Sequence, residues 1–137
     1  PHTMTKLLNS HPLAEDLGKL FLRALAGGLM LLDHGWPKLA GFGEKMDTFP
    51  DPIGLGPALS LGLITFAEVL CALLVVLGIW TRLSTIPLII GMAVITFITH
   101  GDDILGQGES GLLYLTAFLA ILLLGAGRFS LDRLSLK

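Results

Sequence analysis

The chain has 137 residues, of which 53% are hydrophobic and only 15% charged, with a formal net charge of -2 and a mean hydropathy of +0.77. A soluble domain carries nearer a quarter charged residues, and nine Lys and Arg without a basic run or aromatic interleaving argue against nucleic acid as a partner. One cysteine, Cys71, excludes disulfide exchange by this chain alone, which needs a reactive pair. Its mid-span apolar setting predicts a packed, inert thiol.

In chain order, Pro1, His2 and Thr3 ahead of Met4 read as a cloning remnant. Four apolar stretches follow, at about 17–36, 58–80, 83–99 and 111–127. Each is close to the roughly 20 residues an α-helix needs to cross a bilayer core. The first lacks a small-residue cleavage site and is not read as a secretory signal. Pro57 suits a first helical position, Pro87 falls in the first turns of the third stretch, and Trp36 and Trp80 mark helix ends as interfacial aromatics do. The short later connections imply antiparallel neighbours. The expectation is an all-α integral membrane protein, an up-down four-helix bundle forming one domain over residues 4–137.

Charge asymmetry orients it. Lys6, Lys19 and Arg23 flank or enter the first span, Arg82 lies in the second turn, and Arg128, Arg133 and Lys137 follow the fourth span. Asp102, Asp103 and Glu109 stand in a loop without Lys or Arg, and Glu44, Asp47 and Asp51 join Lys38 and Lys45 in the first loop. The positive-inside rule then puts both termini and the Arg82 turn in the cytoplasm and both acidic loops outside. The loop from Lys38 to Pro57 is long, and Phe42, Met46 and Phe49 predict a short helix around Glu44 to Phe49 that buries them.

Ionisable residues inside lipid are rare, usually paired, and point to function. Arg23, Gly27, Met30 and His34 recur at helical spacing, with Lys38 continuing the stripe, which must therefore face inward. Gly27 and Gly28 allow close backbone approach. Glu68 sits near the middle of the second span. Placed antiparallel, it falls within about a turn of Arg23, and the two are expected to form a buried ion pair. His34 and His100, each at the outer end of its helix, could ligate a metal or haem or relay a proton. The acidic residues nearby lack tight ligand spacing, which speaks against metal and haem. Asp102, Asp103 and Glu109 read as a solvated loop face, with Glu109 placed to turn inward, and Tyr114 can close the mouth or bond a ligand. Together these residues outline an outward-facing pocket, with His34, Lys38, His100, Glu109 and Tyr114 at the rim and Arg23 and Glu68 at the floor. Apolar walls with a few polar groups suit a small amphiphile such as a quinone.

Several short segments, in this order, resemble the DoxX family of small four-span bacterial membrane proteins. They are Arg23, the His34-Gly35-Trp36-Pro37-Lys38-Leu39 segment, Glu68, the Leu77-Gly78-Ile79-Trp80-Thr81-Arg82 exit, His100 and the Gly127-Arg128-Phe129-Ser130-Leu131-Asp132 finish. The resemblance runs from about Leu17 to Arg133. It implies kinship with the small membrane subunit of an archaeal thiosulfate:quinone oxidoreductase and with membrane-associated oxidoreductase complexes.

Two main readings follow. In the first, the chain is a subunit of a quinone-linked oxidoreductase system in which Glu68 accepts a proton, Arg23 tunes it and His34 or His100 contacts the quinone oxygen. A soluble or membrane partner would supply the electron carrier, because the sequence has no flavin or nucleotide motif. In the second, it is a non-enzymatic assembly or scaffold factor and the Arg23–Glu68 pair is structural. A transporter is a weaker third reading, because no internal repeat is visible. Small-residue helix faces leave a homodimer open.

Overall fold

The structure, a computed structural model, describes residues 2–135 and the side chains of 4–134, so Lys137 lies outside the described residues. These residues are helical and turn structure with no strand. A short α1 covers His2–Leu8. Next comes α2, a continuous helical path over 15–40 made of an α-helix Glu15–Leu29, a π-helical turn Met30–Gly35 and a further α-helical turn Trp36–Ala40. A one-turn α3 spans Phe42–Lys45. The paths α4, Pro57–Leu77, and α5, Thr81–Thr99, contain π-helical turns at Ala67–Cys71 and Ile95–Thr99. The last long helix is α6, Glu109–Leu124, followed by a final turn α7, Asp132–Ser135.

With 21 and 19 residues, α4 and α5 are long and apolar enough to cross a bilayer, whereas the apolar α6 has 16. The long helices begin and end near the expected stretches, but α2 starts at Glu15 and continues through Trp36 to Ala40. Trp36 therefore lies within a helical path, not at its end. Pro57 does take a first-turn position of α4.

Two helix ends show why the chain turns where it does. After Leu77, Gly78 adopts φ 73°, a left-handed conformation that costs glycine nothing. The Ile79 amide donates to Leu74 O and the Gly78 amide to Val75 O, the pairing that closes a helix C-terminus with a glycine beyond it. The following helix is capped from a distance. Asp132 accepts from the Trp80 and Thr81 amides at 2.6 and 2.9 Å, satisfying donors that the first turn leaves free. Burial pushes the Asp132 carboxyl up, but those amide bonds and the charge of Arg23 hold it below the usual carboxylate range.

Helices α2 and α4 cross at two glycines. A Cβ on Gly35 would collide with Glu68 O, and one on Gly27 would lie 3.0 Å from Ala72 O. Small residues at such positions let backbones meet. This register sets Gly35 level with Glu68. The core between the long helices includes Met30, Leu61, Val75, Leu88, Phe118 and Ile121. The first-loop helix forms slightly earlier than expected, and Phe42, Met46 and Phe49 do pack against the core. The 41–56 and 100–108 loops gather at one end, called here the loop end. The 78–80 turn and the segment after α6 gather at the opposite, turn end.

Candidate functional site

The two buried charges do not meet. Arg23 is fully buried at the turn end, where Nε donates to Ala126 O at 3.0 Å and Nη1 to Val75 O and Val76 O at 3.3 and 3.1 Å. Nη2 donates to Phe129 O. The guanidinium thus joins α2 to the end of α4 and to the segment after α6, and Asp132 supplies an opposing charge. The expected Arg23–Glu68 pair is corrected by the helix register. Arg23 lies twelve residues before Gly35, the residue beside Glu68, roughly 18 Å along the axis at about 1.5 Å per residue. No arginine side chain spans that.

Glu68 instead faces Lys38. Nζ lies 2.7 Å from Oε1, with the Glu68 side chain 1% and the Lys38 side chain 19% exposed. The contact is an ion pair without hydrogen-bond alignment, so Oε1 counts among the buried oxygens lacking a hydrogen-bond partner, with Thr65 Oγ1 and Thr96 Oγ1. Lys38 also donates to His34 O at 3.4 Å. The backbone explains how Lys38 reaches inward. Pro37 has no amide hydrogen and its ring crowds the carbonyl four residues back, and the π-helical turn Met30–Gly35 accommodates this just before it.

The site is organised by π-helical turns. One carries His34, one carries Glu68, and the third ends immediately before His100. Such turns are costly for a regular helix and concentrate at functional sites. The His34 ring meets Tyr114 edge to face at 5.2 Å, and Tyr114 stacks on Phe118 at 6.1 Å.

These groups border a cavity of about 620 Å³ toward the loop end. Of the residues expected to form a pocket, it brings together Glu68, Lys38, His34, His100 and Tyr114. Arg23 lies at the other end of the molecule, and Glu109, exposed in the first turn of α6, stays outside the lining although its neighbours Gln107 and Ser110 join it. Met30, Ile64, Met92 and Ile95 form apolar wall. Among the described residues, no group of three or more His, Cys, Asp and Glu is placed to hold a metal ion. Cys71 is buried in the core.

The sequence reading missed Lys38 as the partner of Glu68 and the carbonyl cage around Arg23. The usable signal for the first was Pro37 inside an otherwise helical run, a mark of backbone irregularity. For the second there was none, because backbone carbonyls carry no side-chain signature.

Two apolar helices long enough to cross a bilayer, with a buried ion pair and a polar-floored cavity beside them, have the character of a helical membrane protein. The DoxX family profile matches residues 18–101, and the chain belongs to that family. A Haemophilus influenzae protein described as uncharacterized is 31% identical over 107 residues, covering 74% of this chain and 71% of that relative. No solved structure matches.

Proposed function

We propose that the protein is a four-span subunit of a quinone-linked oxidoreductase system in the bacterial inner membrane, binding a small amphiphile in the cavity floored by Glu68 and Lys38. The observation that carries this reading is a buried carboxylate, cation-paired at 2.7 Å, at the edge of an apolar cavity. Its volume, about 620 Å³, lies in the range of roughly 300–1,000 Å³ typical of small-molecule sites. In this reading the loop end faces outward and both termini are cytoplasmic, consistent with the Arg82, Arg128 and Arg133 cluster at the turn end. Helices α2 and α6 are the other two spans, and the membrane thins locally around the short α6.

Oxidation of a hydroquinone releases two electrons and two protons. A redox carrier on a partner subunit would take up the electrons. In this reading Glu68 accepts one proton, and water at the loop end takes the other. His34 or His100 contacts the quinone oxygen, and Tyr114, braced against His34, closes one wall. Arg23 has no part in this chemistry.

Purification from native membranes followed by solvent extraction tests the reading. A quinone near one per chain, lost in Glu68→Gln, and a co-purifying subunit with a flavin, haem or iron–sulfur centre are expected. A protein that carries no quinone and takes up none when it is supplied would sink the proposal. The Arg23 cage gives specific support to the assembly-factor reading, because it uses a buried charge purely to hold segments together. Recovery of a stoichiometric partner without a redox centre, unaffected by cavity substitutions, would favour that alternative.

A further inference from the structure

Resting on the reading of the cavity as an amphiphile site, we propose that its ligand comes sideways out of the bilayer through a gap between α4 and α5, with a long apolar tail left in the lipid. The first observation is how these helices separate. From the 78–80 turn, Ala72–Leu77 and then Ala67–Cys71 pack against Thr81–Val94, but Pro57–Phe66 has at most sparse contact with α5. The packing between the two helices thins toward the loop end, where the side chain of Ile64 is what reaches α5 at Gly91, and the cavity borders this stretch of both helices.

The second observation is that the same residues belong to the cavity wall and to the outer surface. Leu63, Phe66 and Ile90 line the cavity, yet are 50%, 48% and 59% exposed. Leu63 and Phe66 fall on the stripe that Leu59 and Leu70 continue along α4, while one turn away Leu61, Ile64 and Glu68 are buried. A cavity sealed from lipid would be walled here by buried side chains only.

The face of α5 toward the gap is thinly furnished. Pro87 and Gly91, one turn apart, both line the cavity. Gly91 contributes no side chain, and a Cβ there would meet only the tip of Ile64, at 2.7 Å. The approach from the loop end is apolar too, through Pro52, Ile53 and Leu55. The nearby Asp51 is turned back onto its own loop, accepting from the Leu55 and Gly56 amides and from Ser60 Oγ, each at 2.9 Å. Pro52, Ile53 and Leu55 thus offer no charge on this approach to gather a water-borne substrate. The ligand class that fits has a compact head with hydrogen-bonding oxygens, seated at Lys38, His34 and Glu68, and one chain too long for the cavity. A tailed quinone meets both requirements.

Stopped-flow binding to the full chain in lipid nanodiscs tests this with two probes, decylubiquinone and the same quinone head without its tail. Four proteins are compared: wild type, Gly91→Leu, Ile90→Trp and Leu73→Trp. Leu73 is lipid-exposed on α4 but does not line the cavity. Filling the gap should slow association of the tailed probe by about tenfold or more and leave the untailed probe within about twofold. Leu73→Trp should change neither. If Gly91→Leu does not fold, Ile90→Trp carries the comparison, because that position already faces outward. Unchanged association of the tailed probe in both gap variants, or equal slowing of both probes, would overturn the lateral route while leaving the cavity as a binding site. Absence of saturable binding of either probe to wild type would remove the cavity reading and this proposal with it.

Discussion

Removing Lys38 should destabilise the protein chiefly by what it leaves behind. In Lys38→Met the Glu68 carboxylate, 1% exposed, loses the cation now 2.7 Å away. Breaking a buried ion pair by deleting one partner costs about 3–5 kcal/mol. The 19% exposure of Lys38 puts the expectation near the lower end, about 3 kcal/mol, because a partly wet charge gives up less on removal. That is a change of about a hundredfold in the folded-to-unfolded ratio. Glu68→Gln in the Lys38→Met background should recover much of the loss, giving a coupling of about 2 kcal/mol. Arg23→Met combined with Glu68→Gln should instead be additive within about 0.5 kcal/mol. The assay is reversible unfolding in mixed dodecyl maltoside and SDS micelles followed by helical circular dichroism. Additivity for the Lys38–Glu68 cycle, or strong coupling in the Arg23–Glu68 cycle, would refute the assignment of partners.

Arg23→Leu removes the donors to the carbonyls of Val75, Val76, Ala126 and Phe129. At about 1.5–3 kcal/mol for a hydrogen bond to a charged group, it should cost at least about 3 kcal/mol and release the segment after α6, seen as faster tryptic cleavage at Arg128. Gly35→Ala forces a Cβ against Glu68 O, whereas a Cβ on Gly28 meets nothing within 4 Å. The first should cost about 1–3 kcal/mol in a micelle unfolding series, and the second should be neutral or stabilise by up to about 1 kcal/mol. Asp132 has a folded-state carboxyl held below its ordinary value. Its contribution to stability is therefore full above the unfolded value near pH 3.9 and is lost as pH falls from there through the folded value. Asp132→Asn should lower stability at neutral pH and flatten the acid limb of the stability profile, and an unchanged acid limb would contradict this.

Much of the helical plan was legible because apolar run length and glycine or proline punctuation are local signals. The stretches at 58–80 and 83–99 correspond to α4 and α5 within a few residues, and Phe42, Met46 and Phe49 gave away the packing of the first loop. Helical spacing and depth singled out His34, Lys38, Glu68, His100 and Tyr114, which border one cavity, but also Arg23 and Glu109, which do not. Pairing inside the membrane was harder to read. It depends on the register between α2 and α4, which two glycine contacts set and sequence periodicity does not. A pure 3.6-residue repeat also misplaces residues beyond a π-helical turn, where the face slips by about a residue. That slip falls between Gly27 and Lys38, the span over which the expected stripe was drawn.

The most direct measurement is an equilibrium titration of the full chain in nanodiscs with decylubiquinone. Saturation at one quinone per chain is expected, with affinity weakened by about tenfold or more in Glu68→Gln and in His34→Ala, through loss of buried polar contacts to the ligand, and unaltered in Arg128→Gln. A linear, non-saturating uptake, or the same isotherm in all four proteins, would contradict a binding cavity floored by Glu68 and Lys38.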